Sequence, residues 1–199
     1  MSFVWKWLGI TAGVLVVALG LGLGSAWWMI NAGFGSGLQN GAWATNPDIG
    51  STQANPYTRA AVARAGLLAL NKSETVYFTA ATDDAGEPLT TKCTYRLDGT
   101  PLATRWWSIT AYGADHYLIP NPQKHYSQAM NTVSRAADNS FTLTVGPDAA
   151  GDNSIPTGYA GSGEGAPFSL TLRLYNPAEE TYTNLGGIRL PAITRETCS

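Results

Sequence analysis

Charge is scarce in this chain: Lys, Arg, Asp and Glu make up only 13% of its 199 residues. There are two histidines and two cysteines. Beyond residue 30 the chain holds 11 Lys and Arg against 14 Asp and Glu, with no basic cluster, so nothing builds the positive face that nucleic acid requires. With 44% hydrophobic residues the chain is too apolar to stay disordered. Several chemistries lack their motif. No Walker loop and no H-E-x-x-H occur. Ser162 has Ala160 and Glu164 where a hydrolase elbow needs glycines. Cys93 and Cys198 stand far apart with no C-x-x-C, which rules out the spacing of a structural zinc site. His116 and His125 are nine residues apart, and even with Asp115 they fit no standard metal motif. No metal and no cofactor are expected.

What is abundant is apolar sequence at one end and turn residues elsewhere. Leu8 to Ile30 is an uncharged run of 23 residues. At about 1.5 Å per residue it is long enough to cross a hydrocarbon core of ~30 Å with some tilt. Trp5 and Trp7 flank one end and Trp27 and Trp28 the other, at the depth where indoles settle among headgroups. Lys6 is the only charge before the run and the next is Asp48, which places the N-terminus in the cytoplasm and the rest outside. The competing reading is a signal peptide cleaved after Gly24-Ser25-Ala26. The run continues through Trp-Trp-Met-Ile, longer than the ~7–15 residues of a signal core, and favours a retained anchor. Gly9, Gly13, Gly20 and Gly24 fall on one face of that helix, where a second copy or a foreign helix can approach closely.

The chain then divides into three parts. Residues 1–30 are a cytoplasmic stub and transmembrane anchor, 31–55 a tether and lead-in, and 56–199 a β domain. Within the lead-in, Trp43 is expected to pack back onto the domain. Asn55-Pro56 has the form of a helix start, a capping side chain before Pro at the first helical position. Apolar residues at near-helical spacing from Tyr57 to Leu68 extend that helix to an end at Asn71. Thereafter the period becomes two: "TVYFTA", "CTYRL", "FTLTV" and "FSLTLRLY" alternate apolar with polar residues, as strands with one buried face do. Turn signals at Asp84-Ala-Gly86, Asp98-Gly99, Asp138-Asn139 and Asn176-Pro177 separate them. The fold class expected is all-β, a mainly antiparallel sandwich or jelly-roll-like arrangement, with one transmembrane helix and one short packed helix.

An exported domain with two cysteines invites a Cys93–Cys198 disulfide, closing a loop of over 100 residues. A Gly/Ser/Pro-rich loop runs from Asp148 to Pro167. It is either a functional excursion or a surface loop packing on itself through Ile155 and Tyr159. Along "RWWSITAY" the parity separates Trp107 from Trp106 and Tyr112. Trp106 and Tyr112 flank two hydroxyls, a surface able to stack on a flat ligand, although core is the more ordinary fate of such aromatics. With His116, His125 and Tyr126 they form the candidate ligand site. No orienting partner completes a Ser127–His125 pair.

Together "RWWSITAYG", "YLIPNPQKHYS", "NSFTLTV", "DNSIP", "PFSLTLRLYNP" and "LPAI", in that order, resemble the bacterial family known as domain of unknown function 1214. The likeness extends from about Pro56 to Ile193. It implies an antiparallel β-sandwich and a companion domain of a related family, in the same chain or in a neighbouring protein. It supplies no activity. Where the family commonly has Arg before Tyr-Ser this chain has His125, and where it commonly has Asn-Trp-Leu-Pro this chain has Asn153-Ser-Ile-Pro156. The leading expectation is therefore a membrane-anchored periplasmic binding or interaction module. An envelope enzyme acting on a small or carbohydrate-like ligand is the alternative, and a structural envelope protein the third.

Overall fold

A computed structural model describes residues 2–31, 37–158 and 165–198. The apolar run forms α1 (Ser2–Asn31), exposed at every residue from 3 to 25 and half-buried at Ala26 and Ile30 near its end. It is the one helix among the described residues that is long and apolar enough to cross a membrane. An added Cβ at Gly9, Gly13, Gly20 or Gly24 would meet nothing within 4 Å, so none of the described residues packs on the glycine face.

The domain is two sheets packed face to face. The larger has six strands in the order β1 (Leu38–Asn40), β2 (Trp43–Thr45), β3 (Thr75–Ala80), β9 (Phe168–Pro177), β5 (Thr104–Gly113) and β6 (Ser127–Ala129). The smaller is β10 (Ala192–Cys198), β4 (Cys93–Gly99), β7 (Phe141–Gly146) and β8 (Ser154–Pro156). Every pairing is antiparallel except β7 with β8. The alternation read from the sequence is obeyed. Val76, Phe78, Trp107, Ile109, Leu170, Leu172 and Leu174 point from one sheet into the core. They meet Cys93, Tyr95, Leu97, Leu143, Val145 and Ile193 from the other. Trp107 stacks on Phe141 with ring centroids 4.6 Å apart, and Tyr95 meets Phe168 edge-on at 5.8 Å. Each contact adds about 0.5–1.5 kcal/mol to the burial of the rings.

Several elements depart from expectation. The tether and lead-in of residues 31–55 contain β1 and β2, which join the large sheet through Trp43 opposite Ala80. Trp43 is 1% exposed and its Nε1 donates to the Pro191 carbonyl at 2.7 Å. Helix α2 (Pro56–Arg64) starts as expected, the Asn55 side chain accepting from the Thr58 amide at 2.9 Å. It stops seven residues earlier than the apolar spacing suggests. Gly66 adopts φ +63°, its amide donates to Ala63 and that of Leu67 to Val62. This is a Schellman termination, for which glycine is suited because a left-handed residue without Cβ carries no steric penalty. Leu67 to Leu70 therefore leave the helix instead of extending its buried face.

Inside the long loop, Ser154 to Pro156 form the parallel edge strand β8, and Ile155 is fully buried against the core. Tyr159 and Ser162 lie outside the described residues. A third helix, α3 (Glu179–Thr183), follows β9. Cys93 and Cys198 are joined by a disulfide and lie opposite each other on β4 and β10.

Candidate functional site

The face of the large sheet turned away from the core carries the polar side chains of β3, β9 and β5. Period two puts Trp106, Ser108, Thr110 and Tyr112 on that side of β5, and Ser169, Thr171, Arg173 and Tyr175 on that side of β9. Register then decides who meets whom: Trp106 stands opposite Tyr175, Ser108 opposite Arg173, Thr110 opposite Thr171 and Tyr112 opposite Ser169. Trp106 and Tyr175 pack with ring centroids 5.2 Å apart. The Trp106 indole Nε1 donates to the Asn131 side-chain oxygen at 2.9 Å.

Arg173 crosses this surface diagonally. Its Nη2 donates to the Tyr112 hydroxyl at 2.9 Å and its Nη1 to Thr110 Oγ1 at 3.4 Å, with the guanidinium 5.5 Å from the Tyr112 ring centroid. No carboxylate lies within ion-pair distance of Arg173 among the described residues. The guanidinium is thus held by neutral hydroxyls and a ring face and keeps its full charge toward solvent. Trp106, Tyr112, Arg173 and Tyr175 are all half-buried. On this face Trp106 and Tyr112 keep part of their surface exposed, while Ser108, Thr110 and Thr171 between them are buried. At the β3 side it is roofed: the Tyr77 hydroxyl donates to the Leu68 carbonyl at 3.0 Å and accepts from the Leu70 amide at 3.2 Å.

The histidines fall elsewhere. His116 occupies an exposed turn with φ +67°, its amide donating to the Gly113 carbonyl at 2.9 Å. His125 is tied into the chain. Asn121 brackets its backbone, accepting from its amide at 3.1 Å and donating to its carbonyl at 2.9 Å. Its ring Nε2 lies 2.8 Å from the Ser127 carbonyl oxygen and 3.2 Å from the Gln128 side-chain nitrogen. An imidazole so held orients the entry to β6. Tyr126 is half-buried, and its carbonyl accepts from the Ala111 amide at 3.2 Å. Among the described residues no three His, Cys, Asp or Glu side chains gather closely enough to hold a metal ion. Asn153 and Gln128 act in the architecture. Asn153 joins Ser134 and Thr142, while Gln128 donates to the carbonyls of Asp152 and Ser154, fastening β6 to β8.

Three clefts lie away from this face. One of about 380 Å³ opens between Met29 at the end of α1, Leu38 and the start of α2. A second of about 490 Å³, largely apolar, lies between residues 48–54 and α2 with the segment after it. The third, about 270 Å³, is beside α3. None of the three is lined by Trp106, Tyr112, His116 or His125. The sequence reading missed Arg173 and Tyr175 as members of the site. Their outward parity was visible in "FSLTLRLY", but the neighbourhood of β9 and β5 was not.

The fold has relatives among solved structures. The VPA0106 protein from Vibrio parahaemolyticus is 22% identical, with a TM-score of 0.57 over 73% of this chain and 36% of that one. An uncharacterized protein from Burkholderia cenocepacia is 11% identical, with a TM-score of 0.46 over 90% of this chain and 42% of that one. The chain thus spans well under half the length of either. A comparison with curated proteins finds no match. The family model described as "Protein of unknown function (DUF1214)" matches residues 74–179, from the start of β3 to α3 and more than half of the chain. A match over more than half of its length shows that the chain belongs to the DUF1214 family.

Proposed function

We propose that this chain is a module anchored by α1 in the bacterial inner membrane, with its N-terminus in the cytoplasm. Its β-sandwich lies in the periplasm and binds a companion envelope protein of the related family. The observation that carries this reading is the open face of the large sheet, where Trp106, Tyr112, Arg173 and Tyr175 lie side by side on rigid strands. Trp, Tyr and Arg are the residues that supply most of the binding energy at protein interfaces. Here they are ordered in advance by Asn131, Thr110 and the strand register, which lowers the entropy lost on association. The Cys93–Cys198 disulfide suits an oxidising compartment. The glycine face of α1 offers a second contact, to another copy or to a helix of the companion.

The test is affinity purification of the full-length chain after mild extraction from the membrane. A specific companion should be recovered, and Trp106→Ala or Arg173→Ala should lower its yield about tenfold or more, as hot-spot truncations do. Recovery of the chain alone and monomeric would defeat the interaction reading. Mature protein beginning at Trp27 would defeat the anchor. A carbohydrate-like ligand that protects the Trp106 indole and is turned over would instead establish the envelope enzyme.

A further inference from the structure

We propose that the segment Leu67–Leu70 is a second membrane contact, which rests Leu68 in the lipid surface beside the point where α1 leaves the bilayer. Leu68 is 91% exposed, the most exposed of the large hydrophobic residues, with Leu70 at 45% and Tyr57 at 40% close in sequence. The backbone on either side of this leucine is tied down. The Schellman turn at Gly66 sets the direction in which the chain leaves α2. The Tyr77 hydroxyl grips the backbone at Leu68 and Leu70. Gly50 admits the Leu70 carbonyl so closely that a Cβ there would lie 1.8 Å from its oxygen. Three independent restraints therefore hold an apolar side chain out in water, which points to a surface that receives it.

The placement identifies that surface. Helix α2 packs on α1, Arg64 donates to the Asn31 side chain at the end of the apolar helix, and Met29 of α1 lines a cleft with Tyr57 and Ala61 of α2. Leu68 follows Arg64 by four residues, so at no more than about 3.6 Å per residue its backbone lies within roughly 14 Å of that of Arg64, which touches the end of the span. The chemistry agrees: from Asn55 to Ser73 the chain carries Arg59, Arg64 and Lys72 and no acid. Cations around an apolar tip match anionic headgroups over an acyl boundary. The occupant is thus the outer leaflet of the membrane that holds α1, and the inference rests on the anchor reading.

The experiment uses the full-length chain in nanodiscs of phosphatidylethanolamine and phosphatidylglycerol. An environment-sensitive fluorophore is placed singly at Leu68→Cys, Thr142→Cys on the outer face of the small sheet, or Leu15→Cys within α1. The native cysteines are disulfide-bonded and do not react. The label at 68 should be blue-shifted and quenched by shallow spin-labelled lipid at least twice as strongly as that at 142, and the label at 15 by deeply labelled lipid. A label at 68 as wet as that at 142, with 15 quenched, overturns the lipid contact and leaves the anchor standing. A label at 15 that no lipid quenches overturns both. Shielding at 68 that grows with protein concentration and ignores lipid quenchers assigns the patch to a second copy, and likewise overturns the proposal.

Discussion

At Gly50 a single methyl group decides whether the Leu70 carbonyl can sit where it does. Its φ of +74° and a Cβ-to-oxygen distance of 1.8 Å leave no room, and the atom met is backbone, which cannot rotate away. Gly50→Ala is therefore expected to cost about 2–4 kcal/mol, from left-handed strain and forced displacement together. Urea denaturation monitored by tryptophan fluorescence would measure it, and a change under 1 kcal/mol would mean that the segment is free to shift. Asp138 offers a finer test. Its carboxylate accepts from the Ser140 hydroxyl at 2.6 Å and from the Ser140 amide at 3.0 Å, and these bonds hold its pKa below the usual carboxylate value. A depressed folded pKa means that the contribution of this turn is present above the unfolded value of ~3.9 and is lost as pH falls through the folded one. Ser140→Ala removes the larger of the two bonds. Carbon-detected NMR titration should then find the Asp138 pKa moved upward, and an unmoved value would show that the hydroxyl does not face the carboxylate in solution.

Among the elements, β10 depends most on a covalent bond. Its final pair, Cys198 opposite Cys93, follows a register shift between Arg195 and Thr197. The last residues of the strand are exposed, so the disulfide is what pins the end of the chain to β4. Inward, Asp84 accepts from the Ile193 amide at 2.7 Å, and Arg195 reaches buried Asp83 at 3.1 Å. The strand should therefore stay docked at Ile193 when the bond is cut. With the cysteines 105 positions apart, reduction is expected to lower stability by up to about 4–5 kcal/mol in the chain-entropy model. In hydrogen exchange, Glu196 to Cys198 should lose protection first and Ile193 last. Simultaneous loss along the strand would show that Asp83 and Asp84 do not hold it. The pattern of success at this scale is physical. Strand parity is local, so "TVYFTA", "CTYRL", "FTLTV" and "FSLTLRLY" declare their inner faces in the sequence itself. The end of α2 was misplaced because apolar spacing continues through Leu67 and Leu68, while Gly66, the stop signal, sits inside that spacing. The Arg173 face was half legible. Trp106 and Tyr112 stood out on β5, but β9 becomes their neighbour only through pairing across more than 50 residues, which no local pattern encodes.

For the whole molecule, if α1 is the retained anchor proposed above, the question is how the sandwich stands relative to the bilayer. Five residues, 32–36, join the described end of α1 to the described start of the domain, and five extended residues reach at most about 18 Å. The packing of α2 on α1 and the Arg64–Asn31 bond draw the domain closer still. If a companion in the same membrane is to meet the Trp106–Arg173 face, it meets it at a set height and orientation, and the free energy of bringing the two together is lowered because both are confined to one plane. A spacer should undo this without touching either surface. Inserting ten Gly/Ser residues after Gly35 adds a coil of roughly 17 Å r.m.s. length. It should leave the thermal midpoint within about 2 °C, since no buried contact changes, yet lower companion recovery about tenfold through dilution of the tethered face. Adding Arg64→Ala, which removes the bond to Asn31, should deepen the loss in the spacer variant. If recovery is unchanged in both variants, the companion reaches the domain from the aqueous side, and the anchor serves only to keep the sandwich in its compartment.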